Sequence, residues 1–395
     1  MRCRLRPSVV LNWLVQGCWL GLLLVVCRPV MACPFCSAPS LTLTEQLNSS
    51  QAAVLVQWKG GQPADLDKGL AGSTEYEILR VVHDATGQLK VGETLVIDRH
   101  RAGKRGDLFV LMGTATDRIE WSSPLEVTET TFNYMVQAPT KEVPTTKRLA
   151  YFLKFLEYPD PLISADAYGE FANAPYADIV PLREQFPREK LRAWLADPQV
   201  NPTRIGLFGL LLGLAGNPAD AEFLQELIMQ PTQEFRLGID GVMAGYLLLT
   251  GTDGLKEIVP AKLESREVPF SETFAAMQAL RFMWTYGDGR IPADDLRGAM
   301  RVLLDRPNLA DLVIVDLARW HDWSVMERLV SLYGAEQYDV PSIKRAIVRF
   351  LMIAEKANPE TEIDPGQISA AKEALAKLKA ADPKTVSAAE KYFFD

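Results

Sequence analysis

The sequence predicts a multidomain α+β chain, a small β-barrel followed by an α-helical solenoid. Three observations carry this. From Ala52 to about Ala138, apolar residues alternate with polar ones in short runs separated by Gly-containing turns, the pattern of half-buried strands. After QAPTKEVPTTKR (137–148), a linker rich in Pro, Thr and mixed charge, the apolar period becomes helical. The helical segments then come in pairs that recur about every 35 residues, which points to a stacked array. The predicted units are a leader over 1–32, a β domain over 33–140, a helical array over 141–358 and a polar helical tail over 359–395.

The chain opens with MRCRLRPS, which holds Arg2, Arg4 and Arg6 and no acid. The almost wholly apolar VVLNWLVQGCWLGLLLVVC follows, and Arg28-Pro29 breaks it before Val30-Met31-Ala32. A basic start, an apolar run and a small final residue make a secretory signal. The mature chain is therefore expected in the periplasm, the cell envelope or the medium, with Cys33 as its first residue. Two alternatives stay open. The apolar run is long enough to persist as an anchor. Val30-Met31-Ala32-Cys33 also resembles a bacterial lipobox, which would put a lipid on Cys33. Membrane attachment is expected by these routes only.

Without the four basic residues of the leader, 38 Lys and Arg face 50 Asp and Glu, a net of about −12. So acidic a chain lacks the basic face that nucleic-acid phosphates demand, and nucleic acid is excluded as a partner.

Cys3, Cys18 and Cys27 lie in the leader, so Cys33 and Cys36 are the only mature cysteines. No distant cysteine can staple the body, which must be held by its own core. Cys-Pro-Phe-Cys has four readings: redox dithiol, metal clip, lipid site or local disulfide. It resembles the active-site motif of glutaredoxin- and DsbA-type oxidoreductases. There the motif opens a helix directly after a buried strand, and the helix dipole lowers the thiol pKa. Here Thr42 and Glu45 form a capping box that starts a short helix only beyond Pro39, and the leader replaces the strand. Zinc wants four ligands, but the mature chain has only His83, His100 and His321, without paired spacing or an HExxH. No metal or cofactor is expected. The favoured reading is a Cys33–Cys36 disulfide, with thiol redox or metal handling through the pair as the alternative.

The predicted strands are AAVLVQW (52–58), EYEILRVVH (75–83), ETLVID (93–98), DLFVLMG (107–113) and TTFNYMV (130–136). A Cys-containing start, a short helix, a strand, a long polar loop and then "VGETLVI" and "GDLFVLMG" resemble the netrin-like OB-fold module. Tissue inhibitors of metalloproteinases and complement C-terminal modules share it. The resemblance implies an OB-like barrel. In the inhibitors a Cys-x-Cys terminus places its amine and carbonyl on a protease zinc. Only Cys33 can match here, and the spacing and the missing partner cysteines speak against inhibition.

TRIGLFGLLLGLAG (203–216) and RLGIDGVMAGYLLLTG (236–251) are apolar nearly all round, as helices buried on several sides are. Each is followed by a polar turn and a second helix, AEFLQELI (221–228) and GLKEIVPAKL (254–263). TFAAMQALRFMWTYG (273–287) pairs in the same way with ADDLRGAMRVLL (293–304), and LADLVIVDLARW (309–320) with SVMERLVSLY (324–333). Segments 163–176 and 188–196 form an earlier irregular pair, 342–356 caps the stack, and 367–380 and 384–393 are surface helices. The array resembles degenerate HEAT repeats, and the tetratricopeptide signature is not kept.

Among site candidates, Arg99, Arg101, Lys104 and Arg105, with His100 between, crowd one hairpin loop, suited to an anionic glycan or lipid head group unless they are merely solvated. Trp284, Tyr286, Trp320, Trp323 and Tyr333 fall at helix ends, as core and capping residues or as anchors on a concave face. His321 and Asp322 are neighbours that do not face each other on a helix end. There is no G-x-S-x-G, P-loop or Rossmann glycine pattern. The expected function is an exported, non-enzymatic scaffold that binds a protein or another envelope macromolecule.

Overall fold

The computed structural model describes residues 33–36, 41–65, 67, 72–116, 118–359 and 363–391. The leader, and with it the signal, anchor and lipobox readings of residues 1–32, lies outside them. The protein is mixed α and β, with a small antiparallel sheet followed by many helices.

Helix α1 (Leu43–Ser49) starts where the sequence predicts. Thr42 Oγ1 accepts from the Glu45 amide at 3.0 Å, and Glu45 Oε2 accepts from the Thr42 amide at 2.9 Å. Six strands follow: β1 (Ala52–Gln62), β2 (Ser73–Asp84), β3 (Thr94–Ile97), β4 (Leu108–Ala115), β5 (Ile119–Trp121) and β6 (Leu125–Val127). Their order is β3-β2-β1-β4-β5, and β6 shares the far edge of β4. Three register shifts interrupt the β1–β2 ladder; bulges of this kind add twist and curl a sheet.

Alternation decides the faces. Val54, Val56, Tyr76, Ile78, Ile97, Phe109 and Leu111 form a small core on one side. Their neighbours Ala53, Leu55, Val110 and Met112 point the other way and join the helical core, so the sheet is buried on both faces. Among the described residues no ladder joins β3 to β5 or β6. Side chains span that gap: Arg99 donates to Ser123 Oγ at 2.8 Å and Arg101 to Glu126 at 3.1 Å.

The fifth predicted strand is instead a helix, α2 (Glu129–Gln137). Thr128 caps it by accepting from the Thr131 amide at 3.0 Å, and Phe132, Tyr134 and Met135 are buried. Capping and tertiary burial outweigh the β-propensity of its Thr, Phe and Tyr residues. Helices α3 (Thr145–Phe152), α4 (Pro161–Asn173), α5 (Tyr176–Ile179) and α6 (Arg188–Ala196) lead into the paired array. The array consists of α7 (Ile205–Ala215), α8 (Pro218–Met229), α9 (Ile239–Thr250), α10 (Thr252–Ile258), α11 (Phe270–Tyr286), α12 (Ala293–Val302), α13 (Pro307–Arg319) and α14 (Met326–Leu332). Helices α15 (Pro341–Lys356), α16 (Pro365–Ala381) and α17 (Pro383–Lys391) end the described chain. None of the described helices is long and apolar enough to cross a membrane.

Glycines bring two helices of the array into close contact. The glycines of α7, Gly206, Gly209 and Gly213, face glycines at the same spacing, Gly238 at the cap of α9 and Gly241 and Gly245 within it. A Cβ on Gly245 would lie 2.1 Å from Gly209 O, and one on Gly241 2.2 Å from Gly206 O. The contacts advance together along both helices, Gly241 on Gly206 and Gly245 on Gly209 and Gly213, so they run parallel, backbone against backbone. Helix α11 packs on α9 and α15 on α13. The rings of Trp284, on α11, and Trp320, after α13, stack at 4.5 Å.

Buried carboxylates tie distant parts of the helical half together. Arg236 donates to Glu272 at 2.9 and 2.6 Å, across 36 positions, and Arg281 to Asp316 at 2.7 Å, across 35. Asp220 accepts from Arg188 at 2.7 Å and from Arg192 at 3.1 Å. Burial opposes its ionisation, yet the hydrogen bonds from the Asn217 amide and the two arginines hold its carboxyl below the ordinary range.

Candidate functional site

The Cys-Pro-Phe-Cys segment is docked into the helical body, at the starting ends of α7 and α9. The Cys33 amide donates to Ala172 O on α4 at 3.2 Å, and the Cys36 amide to Cys33 O at 3.2 Å, which closes a turn. The Phe35 ring packs on Phe282 of α11 at 5.0 Å, and Phe282 in turn meets Tyr176 and Tyr286. The Phe35 carbonyl approaches so closely that a Cβ on Gly206 would lie 2.9 Å from it. The two sulfurs are at bonding distance, 2.01 Å. Cys33 is only 3% exposed, whereas Cys36 is partly open.

Pro34, Phe35 and Cys36 wall one side of a half-open cavity of 270 Å³. The start of α9, Gly238 to Asp240, forms a second side, and Ser271, Phe274 and Ala275 of α11 form a third. Two of the lining side chains are apolar and stand in solvent, Phe235 at 72% exposed and Leu237 at 44%; Phe270, next to the lining Ser271, is 49% exposed. Phe270 stacks on Phe274 at 5.9 Å. Arg236 also lines the cavity, but its guanidinium is bound by Glu272 and by the carbonyls of Leu227 and Ile228. Asp240 has no ion-pair partner among the described residues and accepts from the Gly241 amide at 2.9 Å. Burial pushes its carboxyl above the ordinary range, against the pull of that amide. The site is thus an apolar mouth with one uncompensated acid inside.

A second buried cluster fastens α1 to α4. Asp166 accepts from the Leu43 amide at 2.5 Å, the Thr44 amide at 3.3 Å, Thr44 Oγ1 at 3.0 Å and the Tyr134 hydroxyl at 2.7 Å. Glu170, one turn along α4, accepts from Thr42 Oγ1 at 2.6 Å and Arg148 at 2.5 Å. Burial raises both carboxyls despite these bonds. The network caps α1 and fastens the N-terminal segment, so we read it as structural.

The basic loop is dispersed. Arg99 and Arg101 are spent on Ser123 and Glu126, while the side chains of Lys104 and Arg105 stay exposed. Trp320, Trp323 and Tyr333 are buried, in line with a core role. His321 sits in the left-handed region with φ 53°, and its amide and that of Asp322 donate to Ala318 and Leu317. That is a Schellman cap of α13. Asp322 pairs with Arg301 at 2.6 and 2.8 Å. Among the described residues no three His, Cys, Asp or Glu side chains cluster as a metal site. Sequence reasoning missed Phe235, Leu237, Phe270 and Asp240. The signal available was Phe235 in QPTQEF, a polar stretch between two predicted helices where it has no helical face to join; Leu237 was read into the helix from 236, which begins only at Ile239.

Comparison with protein-family models, with curated proteins and with solved structures finds no match.

Proposed function

We propose that the protein is an exported, non-enzymatic scaffold that binds a polypeptide at the cavity beside Cys36. The sheet is read as an OB-like module and the helices as a HEAT-like solenoid. The parallel helices α7 and α9 and the carboxylate rungs, each of which joins residues about 35 positions apart, support the latter reading.

One observation carries the binding role: two large, solvent-exposed apolar side chains, Phe235 and Leu237, line a half-open cavity that holds an unpaired carboxylate, and a third, Phe270, stacks on Phe274 of its wall. Water-exposed aromatics around a recess are the residues that anchor partners. Asp240 selects the chemistry of the occupant, an apolar segment carrying a Lys or Arg whose charge meets the acid.

The test uses a fluorescent Phe- and Leu-rich peptide with one central Lys, and its Glu counterpart, titrated against the chain from Cys33 to Asp395. The Lys peptide should bind more tightly. Phe235→Ser with Phe270→Ser should weaken it by about tenfold or more, and Asp240→Asn should erase the Lys preference. Equal binding by wild type and the double variant would reject the proposal. Export is checked separately, by N-terminal sequencing of the protein from cell-envelope fractions, which should begin at Cys33.

A further inference from the structure

We propose that the Cys33–Cys36 pair is a thiol-exchange site at which the docked polypeptide is captured covalently through Cys36 Sγ. This rests on the docking role proposed above and extends it from contact to bond.

Three observations support it. The two sulfurs are unequal: Cys33 is 3% exposed, while Cys36 lines the cavity and is partly open. An incoming thiolate therefore reaches Cys36. The loop is also held independently of its S–S bond, by the Cys33 amide on Ala172, the Phe35 ring on Phe282 and the Phe35 carbonyl against Gly206. Opening the bond leaves Cys33 in place to reverse the reaction. Finally, no other cysteine follows Cys36, so exchange cannot scramble within the mature chain.

The step is redox-neutral. A cysteine thiolate of the bound polypeptide attacks Cys36 Sγ. The Cys33–Cys36 bond breaks and its electron pair leaves on Cys33 Sγ, which takes a proton from water. A new disulfide joins the partner to Cys36. In release, the Cys33 thiolate attacks Cys36 Sγ, the partner leaves as a thiolate and the original bond returns. The apolar rim supplies residence time, which raises the effective concentration of the partner thiol.

Two measurements test this. In the first, the wild-type chain from Cys33 to Asp395 is mixed with a Phe- and Leu-rich peptide bearing one cysteine, or with reduced glutathione, then acid-quenched for mass spectrometry. The peptide adduct should map to Cys36 and form about tenfold faster than the glutathione adduct. In the second, Cys33→Ser and Cys36→Ser are offered the same peptide as its mixed disulfide with glutathione. Cys33→Ser should accumulate the peptide on Cys36, and Cys36→Ser should react at least about tenfold more slowly. Adding Phe235→Ser and Phe270→Ser should bring the peptide down to the glutathione rate.

Equal rates for peptide and glutathione, adducts on Cys33 or no adduct at all would overturn the proposal. The docking role has its own readout, binding of the cysteine-free Lys peptide to the Cys33→Ser/Cys36→Ser double variant. If that binding persists without adducts, only the exchange step fails; if it is lost in wild type as well, the docking role fails with it.

Discussion

Replacing Gly245 with Ala is the sharpest test of how the array is held. In an unpacked helix the change is favourable by up to about 1 kcal/mol, because Ala restricts the unfolded chain and Gly does not. Here the added Cβ would lie 2.1 Å from Gly209 O and 2.8 Å from Gly209 C. These are backbone atoms of a neighbouring helix, which cannot swing aside as a long side chain can. Carbon and oxygen need more than about 3 Å, so α7 and α9 must part by roughly 1 Å. Close-packed interiors resist such movement, at about 1–3 kcal/mol and more where backbone must shift. After the propensity gain is subtracted, Gly245→Ala should lose about 1–3 kcal/mol. Gly298 is the internal control. It lies within α12 with nothing within 4 Å of its would-be Cβ, so Gly298→Ala should gain up to about 1 kcal/mol. Urea unfolding followed by circular dichroism reads both, as midpoint shifts of opposite sign with unchanged slope. A Gly245→Ala protein as stable as Gly298→Ala would refute the backbone-to-backbone contact.

Two further outcomes are expected. Asp166→Ala strips the acceptor from two α1 amides and from the Thr44 and Tyr134 hydroxyls, so about 3–5 kcal/mol should be lost, with early proteolysis around residues 41–51; a loss below about 1 kcal/mol would contradict the network. Asp220 has its carboxyl held below the ordinary range, so its contribution is present above the unfolded value and lost on acidification. The gap between wild type and Asp220→Asn should be about 2–4 kcal/mol at neutral pH and shrink as pH falls through roughly 4, by denaturant unfolding across pH, and a gap that widens on acidification excludes the pairing.

Much of the helical half was legible because it rests on local signals. The segment read as a helix at 188–196 is Arg188–Ala196, and 342–356 is Pro341–Lys356. Thr42 and Glu45 announced α1 through a bond pattern three residues wide. The sheet was harder to read. Strands β5 and β6 have three residues each, too short for alternation to register. TTFNYMV carries strand-like residues, and only its cap at Thr128 and its burial make it a helix. The mouth of the cavity was illegible for a different reason. It is assembled from residues 34–36, 203, 235–240, 271, 274 and 275, which only the packing of α7, α9 and α11 brings together. The repeated Gly-x-x-Gly-x-x-x-Gly on α7 and α9 was a readable sign of that packing.

The carboxylate rungs link this packing to the site. Apolar helices of similar length could slide past one another at little cost, since one Leu replaces another in a hole. A buried acid cannot slide without its arginine, because an uncompensated charge in the core costs about 3–5 kcal/mol. Glu272, 1% exposed, is held by Arg236 and by Lys262 at 2.8 Å. Burial opposes its ionisation, and the two cations outweigh it and keep it charged. That rung stands at the edge of the cavity and fixes the start of α11 against the loop before α9. It also settles the electrostatics of the recess. Arg236 is the cation that lines the cavity with Asp240, but Glu272 and two backbone carbonyls engage its guanidinium. The acid left beside Cys36 is therefore a consequence of how the array is locked, and weakening the rung should alter both. Glu272→Gln releases Arg236 toward Asp240, so besides its cost in stability it should abolish the Lys preference of the bound peptide, as Asp240→Asn does. A Lys preference that survives Glu272→Gln in the folded protein would show that the rung and the recess are independent.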